Sequence, residues 1–446
     1  MSAGPPVVDA EARMSGDRVG PTFVVASAAA SLGFLVVNPS AGVGPRLLLE
    51  VLALATWFAL LHVGARGLSR RLVWASGLVL LGVAVAKRPV GSQDLWSYVM
   101  QGRMIVVHHA SPYLHRPAQY PADRFSSLVP IGWRSARSPY GPLFSIVSAG
   151  GSLIAGSSIV ANRLVHQGLA AACLVASALL HERRGRSLAV PFLVMNPMCL
   201  AIANGGHNDL LVGALVVFAI DAAVGAGVRL SRAAACGALL AAAVLIKLTA
   251  VLPAVAVLIW LVRRRGRRVA FLAAATSLGL VLFAYGAAGG LRALRPVLAG
   301  GSRVSRASAA GVIDRAFGHE TIASRLAVLM TVLCVVIALV ASASIRVRAS
   351  PTPTATATVL TMLATAPFVL PWYMGWMLPA AAESTRSDAT RSATLFSATL
   401  FLAYTEPPGS STGSISTGLA VLPSACAIGM AGWFAWHVVR QPSAAI

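Results

Sequence analysis

The chain has 446 residues, of which 57% are hydrophobic and 11% charged, with a mean hydropathy of +0.75. No soluble core of this size needs so much apolar sequence, so the composition excludes an ordinary globular domain and describes a polytopic membrane protein. The formal net charge of +22 does not make it a nucleic-acid binder, because the basic residues divide between two faces and no binding motif accompanies them.

Residues 1–20 read as a polar cytoplasmic tail that carries acids and lacks the basic-then-apolar order of a secretory signal, so the first apolar segment is expected to stay as an anchor. A single transmembrane domain follows over 21–440, with a short tail at 441–446. Its apolar segments lie at 22–37, 47–64, 72–86, 141–160, 164–180, 188–203, 210–228, 233–246, 250–262, 269–288, 322–344, 355–370, 372–382, 393–404 and 415–439. Runs of this length and spacing specify an all-α fold of membrane helices, since a β-barrel would show short alternating strands. Five cysteines, Cys173, Cys199, Cys236, Cys334 and Cys426, all fall within these segments and imply neither a disulfide framework nor a metal site.

Short arginine-rich links at 66–71, 183–186, 229–232, 263–268, 346–348 and 386–391 mark the cytoplasmic side. Counting crossings then places 87–140, 205–209, Lys247, 289–321 and 371–372 outside. Two apolar segments stand where parity allows one crossing. The glycine-bearing segment from Gly141 is therefore expected to lie on or re-enter from the outer face, leaving about 14 spans. Both long outer loops are basic. The first carries Lys87, Arg88, Arg103, Arg116, Arg124, Arg134 and Arg137, and the second Arg292, Arg295, Arg303, Arg306 and Arg315. Arginines on the side that the topology rule disfavours fit an anionic ligand such as phosphate, or anionic lipid headgroups.

Within the first outer loop, Trp96, Val99, Met100, Met104 and Val107 recur at helical spacing after Asp94. The pattern predicts an interfacial helix from Asp94 to His109 with a carboxylate at its amino end, where it serves as a helix cap or as a catalytic base. Two turn-rich segments follow, Ser111-Pro112-Tyr113 and Ser138-Pro139-Tyr140-Gly141-Pro142-Leu143. Their tyrosines are interfacial anchors or sugar contacts. Asn196-Pro197 interrupts one apolar segment, and Asn204-Gly205-Gly206-His207-Asn208-Asp209 separates two others. Asp209 borders an apolar run and belongs at a boundary or in a hydrated cavity, because a carboxylate at mid-bilayer costs about 2.5 to 3.5 kcal/mol. Lys247, the sole lysine after Lys87, either snorkels to the surface or meets an anion.

These residues, in this order, resemble the polyprenol-phosphate-mannose-dependent α-(1→6) mannosyltransferases of mycobacteria and corynebacteria, a family of type C glycosyltransferases that builds lipomannan cores. The resemblance is carried by Asp94-Leu95-Trp96-Ser97-Tyr98 with Gln101-Gly102-Arg103 and Ser111-Pro112-Tyr113, by Ser138 to Leu143, by Asn196-Pro197 with Gly206 to Asp209, and by Pro371-Trp372-Tyr373 with Trp376. It spans residues 20–440, and the lone Lys247 also matches. One departure is His108-His109-Ala110, where a glycine and a small polar or acidic residue are expected.

The resemblance implies a multispan enzyme of the plasma membrane with its site on the extracytoplasmic side. It would transfer mannose from polyprenyl phosphomannose to an α-(1→6) mannan or lipoglycan acceptor, with inversion. Asp94 is then the base, and Lys247 and Arg103 the donor-phosphate ligands. Tyr98, Tyr113, Tyr140, His207, Asn208, Asp209, Trp372 and Tyr373 are the sugar or acceptor contacts. No acidic pair stands beside Asp94, so no metal is implied. The rival readings are a transferase for an arabinosyl or glucosyl lipid and a transporter or flippase of lipid-linked sugar.

Overall fold

The computed structural model describes residues 8–37, 42–63, 68–225, 229–299, 304–317, 325, 328–336, 350–405 and 418–429. These residues are helical, with no strand among them. Helices α1 (Val8–Val36), α2 (Val43–Val63) and α3 (Arg70–Ala86) form the first group. The first of them already begins inside the stretch expected as a polar tail. Helix α4 (Asp94–Val106) opens the first of the two loops expected outside, which continues through short turns and α5 (Ile131–Arg134) to α6 (Pro142–Ala155). Then come α7 (Ile159–Arg183), α8 (Ala189–Val194), α9 (Pro197–Asn204), α10 (Asp209–Val224), α11 (Leu230–Ile246), α12 (Val251–Arg265) and α13 (Arg267–Ala287). The second loop expected outside contains α14 (Leu291–Ala299) and α15 (Ala309–Phe317), and α16 (Thr352–Thr365) and α17 (Asp388–Leu402) come later in the chain.

Three described helices, at Val43–His62, Ile159–Arg183 and Arg267–Ala287, are long and apolar enough to cross a bilayer, and a fourth crossing results if α9 and α10 count as one broken span. The expected 14 spans are not reached by that measure. Expected segments at 322–344 and 415–439 lie largely outside the described residues. At 14 residues, α6 is about 21 Å long, shorter than a hydrocarbon layer of about 30 Å.

The two expected segments 188–203 and 372–382 are not continuous helices. Between α8 and α9 the chain breaks at Asn196-Pro197, where the Asn196 carboxamide oxygen accepts the Met198 N–H at 2.9 Å and Pro197 occupies the first helical position. That motif is a helix start, because proline lacks the N–H that the first turn leaves unsatisfied. Residues 371–384 form 3-10 turns at Pro371–Trp376 and Ala382–Ser384 around one α turn, Leu378–Ala381. Irregular backbone of this kind survives at membrane depth only when protein covers it, and this segment packs against α9, α10 and α17. The contact with α10 depends on Gly213, where an added Cβ would stand 2.0 Å from the Gly375 carbonyl oxygen.

Helix α4 also departs from expectation. An interfacial helix would leave its polar face to solvent, yet every residue from Asp94 to Gly102 is buried. The outer loop folds back over it. Leu95, Trp96, Val99, Met100 and Met104 share a small core with Phe125 and Val129, while Tyr98 packs into the main core. The fold-back is pinned by Asp123, which accepts from Arg103 Nε at 2.9 Å and lies 2.8 Å from His108 Nε2.

Candidate active site

Asp94 is the first residue of α4, and its N–H reaches the Ser92 hydroxyl at 3.2 Å. The segment that delivers it is held by buried polar side chains from other helices. Asn204 accepts the Val90 N–H at 3.0 Å and donates to the Ala84 carbonyl at 2.9 Å. Arg163 donates to Val85 O at 2.9 Å, and Gln167 to Lys87 O at 3.0 Å. These contacts satisfy the carbonyls that the end of α3 leaves open. Arg163 and Gln167 were not singled out from the sequence, although charged and amide side chains at one-turn spacing at the edge of an apolar run were a usable signal.

Asp94 lies in the loop between α3 and α6, outside the apolar segments, and is 8% exposed. Burial raises its pKa from 3.8 to about 6; the Lys247 charge and hydrogen bonds from Trp133 and Ser92 oppose the rise, while Asp209 adds to it. The helix amino end favours the ionised form as well. The result is a carboxylate that is charged at neutral pH and more basic than one in water.

Asp209 begins α10 and Lys247 ends α11, 38 residues apart in sequence and joined at 2.6 Å. The same carboxylate oxygen accepts the Trp376 indole N–H, whereas the other oxygen is buried without a hydrogen-bond partner. Lys247 takes an extended conformation as α11 ends, and its ammonium lies 4.3 Å from the centre of the Tyr373 ring, 4.9 Å from Trp376 and 5.9 Å from Tyr140. Tyr373 stacks on Trp376 at 4.5 Å. The ammonium thus has one carboxylate and several ring faces around it, each ring adding about 0.5 to 2 kcal/mol. Trp376 belonged to the sequence motif, but nothing in its spacing marked it as the partner of Asp209.

The turn between α9 and α10 bends the chain by 120°. Gly206 makes it possible with φ +63°, a conformation that costs glycine little. His207 then stacks on Trp372 with ring centres 4.2 Å apart and planes 12° apart, and its Nδ1 lies 3.4 Å from the Tyr98 hydroxyl. Tyr98 meets Tyr140 edge-on at 5.2 Å. Tyr113 is one layer further out, where its hydroxyl donates to the Tyr140 carbonyl at 3.1 Å and pairs with Ser145 at 3.0 Å. The Asn208 side chain is buried with neither its amide nitrogen nor its oxygen bonded.

The structure therefore brings together Asp94, Tyr98, Tyr140, His207, Asn208, Asp209, Lys247, Trp372 and Tyr373, and it leaves Arg103 apart. Arg103 follows Asp94 by nine positions, about 13 Å along the helix. Its guanidinium is engaged by Asp123 and sits over Phe125 at 4.5 Å. Burial would raise the Asp123 pKa, but the Phe125 N–H, His108 and Arg103 outweigh it and hold the carboxyl below its ordinary range. Arg103 is thus an anchor of the outer loop. Among the described residues, no group of three or more His, Cys, Asp or Glu side chains is placed to hold a metal ion.

Two openings reach the hydrogen-bond partners of Asp94. A cavity of about 80 Å³ is lined by Ser92, His207 and Trp372, together with Phe34, Arg46 and Phe401. A second cleft, of about 340 Å³, is lined by Trp133, Arg116, Arg137 and Arg295. Ser92 and Trp133, the two hydrogen-bond partners of Asp94, face one opening each. No local signal in the sequence marked Trp133.

A family model described as alpha-(1→6)-mannopyranosyltransferase, N-terminal domain, matches residues 27–264. The chain belongs to that family. The matched stretch includes Asp94, His207, Asp209 and Lys247 and ends before Trp372 to Trp376. Alpha-(1→6)-mannopyranosyltransferase A of Mycobacterium tuberculosis is 29% identical over 266 residues, covering 54% of this chain and 49% of the relative. Alpha-(1→6)-mannopyranosyltransferase B of Corynebacterium glutamicum is 32% identical over 139 residues, covering 29% of this chain and 23% of the relative. The chain thus spans about half the length of the first of these relatives and less of the second. No solved structure matches.

Proposed function

We propose that this member of the family is a membrane mannosyltransferase, transferring a mannosyl residue with inversion from polyprenyl phosphomannose to an α-(1→6) mannan acceptor on the outer side of the plasma membrane. The observation that carries the reading is a buried, basic carboxylate whose hydrogen-bond partners Ser92 and Trp133 line two different openings. In this reading one opening serves the donor and the other the acceptor.

In this mechanism the acceptor hydroxyl gives its proton to Asp94 as its oxygen forms a bond to the anomeric carbon. The bond from that carbon to the phosphate oxygen breaks on the opposite face, so a β-linked donor yields an α product. Polyprenyl phosphate departs with the bonding electrons and needs no proton from the protein. A base that titrates near neutrality is suited to this task, because it is free to accept and still strong enough to pull. Lys247 and Asp209 act as a pair on the field at Asp94, one stabilising its charge and the other opposing it. The His207–Trp372 stack lines the cavity and offers a flat face of the kind that packs against a pyranose ring. The names of the two relatives support mannose as the transferred sugar, and the apolar wall of the cavity supports a lipid-linked donor.

The test is transfer of labelled mannose from polyprenyl phosphomannose to a short α-(1→6) mannoside by membranes containing the protein, with the anomeric configuration of the product read by NMR. Retention at the anomeric carbon, or transfer only from an arabinosyl or glucosyl lipid, would overturn it. The orientation is tested with Gln93→Cys and a membrane-impermeant thiol reagent, which should label intact cells from outside.

A further inference from the structure

Arg46 opens α2 and is 7% exposed, with its side chain lining the cavity beside Asp94. Among the described residues it makes no hydrogen bond and no ion pair within 4.0 Å. Glu50, one turn on, feels its charge, but the Glu50 carboxylate is bonded to the Thr405 hydroxyl. A guanidinium carries five donors in a planar fork, and those of Arg46 are free to meet a ligand in the cavity that the side chain lines. Lys247, the cation that the sequence pointed to, is already matched by Asp209. Among the described residues that line this cavity, Arg46 is the arginine left to receive an anion.

The walls of the cavity narrow the choice of anion. Phe34, Leu35, Met198, Ile202 and Phe401 supply apolar wall, and the stacked His207 and Trp372 line the same cavity with Ser92. On the crossing count that puts residues 87–140 outside, the α1–α2 link lies on the same outer side. We infer that Arg46 is the cation that binds an isoprenoid phosphate in this cavity, with the first prenyl units against the Phe34 and Phe401 wall and any attached sugar directed to Trp372. This rests on the lipid-linked donor proposed above, and it places the phosphate at α2 and away from both Lys247 and Arg103.

The experiment is binding of radiolabelled farnesyl phosphate, a short isoprenoid phosphate without sugar, to the full chain in lipid nanodiscs. Farnesol and inorganic phosphate serve as the tail-only and phosphate-only probes. Arg46→Gln is expected to weaken farnesyl phosphate about 10- to 100-fold, the range for losing hydrogen bonds to a charged group, and to leave farnesol unchanged. Equal binding by wild type and Arg46→Gln overturns the inference. Inorganic phosphate binding as tightly as farnesyl phosphate overturns the lipid part, since the site then serves free phosphate. Should Arg46→Gln not fold, Ala201→Phe fills the same cavity without touching the arginine, and farnesyl phosphate bound at wild-type strength by that variant equally refutes the placement. The two readings fail separately. Mannosyl transfer by Arg46→Gln at wild-type kcat and KM defeats this inference alone, whereas Arg46-dependent farnesyl phosphate binding without any mannosyl transfer defeats the proposed reaction alone.

Discussion

Replacing Asp94 by asparagine separates its chemical role from its structural one. The amide keeps the volume and retains an oxygen for the Trp133 hydrogen bond, while the charge and the proton-accepting ability are lost. General-base catalysis contributes about 10²- to 10⁴-fold, which is about 2.7 to 5.5 kcal/mol of barrier, and turnover should fall by that factor. Stability should move the other way. The Asp94 pKa is raised from 3.8 to about 6, and at about 1.36 kcal/mol per pH unit ionisation inside the fold costs about 3 kcal/mol more than in water. For an acid with a raised pKa, the fold bears no such cost below pH 3.8, bears part of it up to pH 6 and all of it above. At pH 7.5 the asparagine variant should therefore melt higher than wild type, and the difference should vanish in acid. The assay pairs single-turnover mannosyl transfer with thermal unfolding of detergent-solubilised protein at several pH values. Turnover within tenfold of wild type, or a lower melting temperature at pH 7.5, would refute the reasoning.

Other changes test the surroundings of that carboxylate. Trp133→Phe removes a hydrogen bond that lowers the Asp94 pKa, so the acid limb of kcat/KM against pH should move to higher pH; an unmoved limb separates Trp133 from the base. Asp209→Asn strands the Lys247 ammonium in its ring cage and should cost about 3 to 5 kcal/mol. The double change with Lys247→Met should recover part of that loss in a denaturation experiment, and simple additivity would show that the pair is not coupled. Gly213→Ala drives a Cβ to 2.0 Å from the Gly375 carbonyl oxygen and should cost about 1 to 3 kcal/mol by overpacking. It should also reduce transfer by displacing Trp372 and Trp376, an effect read by comparing melting temperature and turnover.

The sequence alone determined that the chain is helical and membrane-bound, that Asp94 stands at the start of a helix, and which family it resembles. Those properties are local or compositional: apolar run length, three- and four-residue spacing, and short motifs whose order survives along the chain. Tertiary structure decided how the polar residues are shared out. Asp209 and Lys247 are 38 positions apart and Trp376 is 167 positions from Asp209, so no pattern in one segment records that they meet. Arg103 had the same charge and a more suggestive position than Arg46. Only the folded chain shows Asp123 closing on the first and a cavity opening beside the second. Breaks at Pro197 and Pro379 likewise turned expected spans into bent and irregular pieces, because proline lacks the N–H that a continuing helix needs. Charge pairing acts through space over a few ångströms, and the distances that govern it are set by the packing of helices and not by their order.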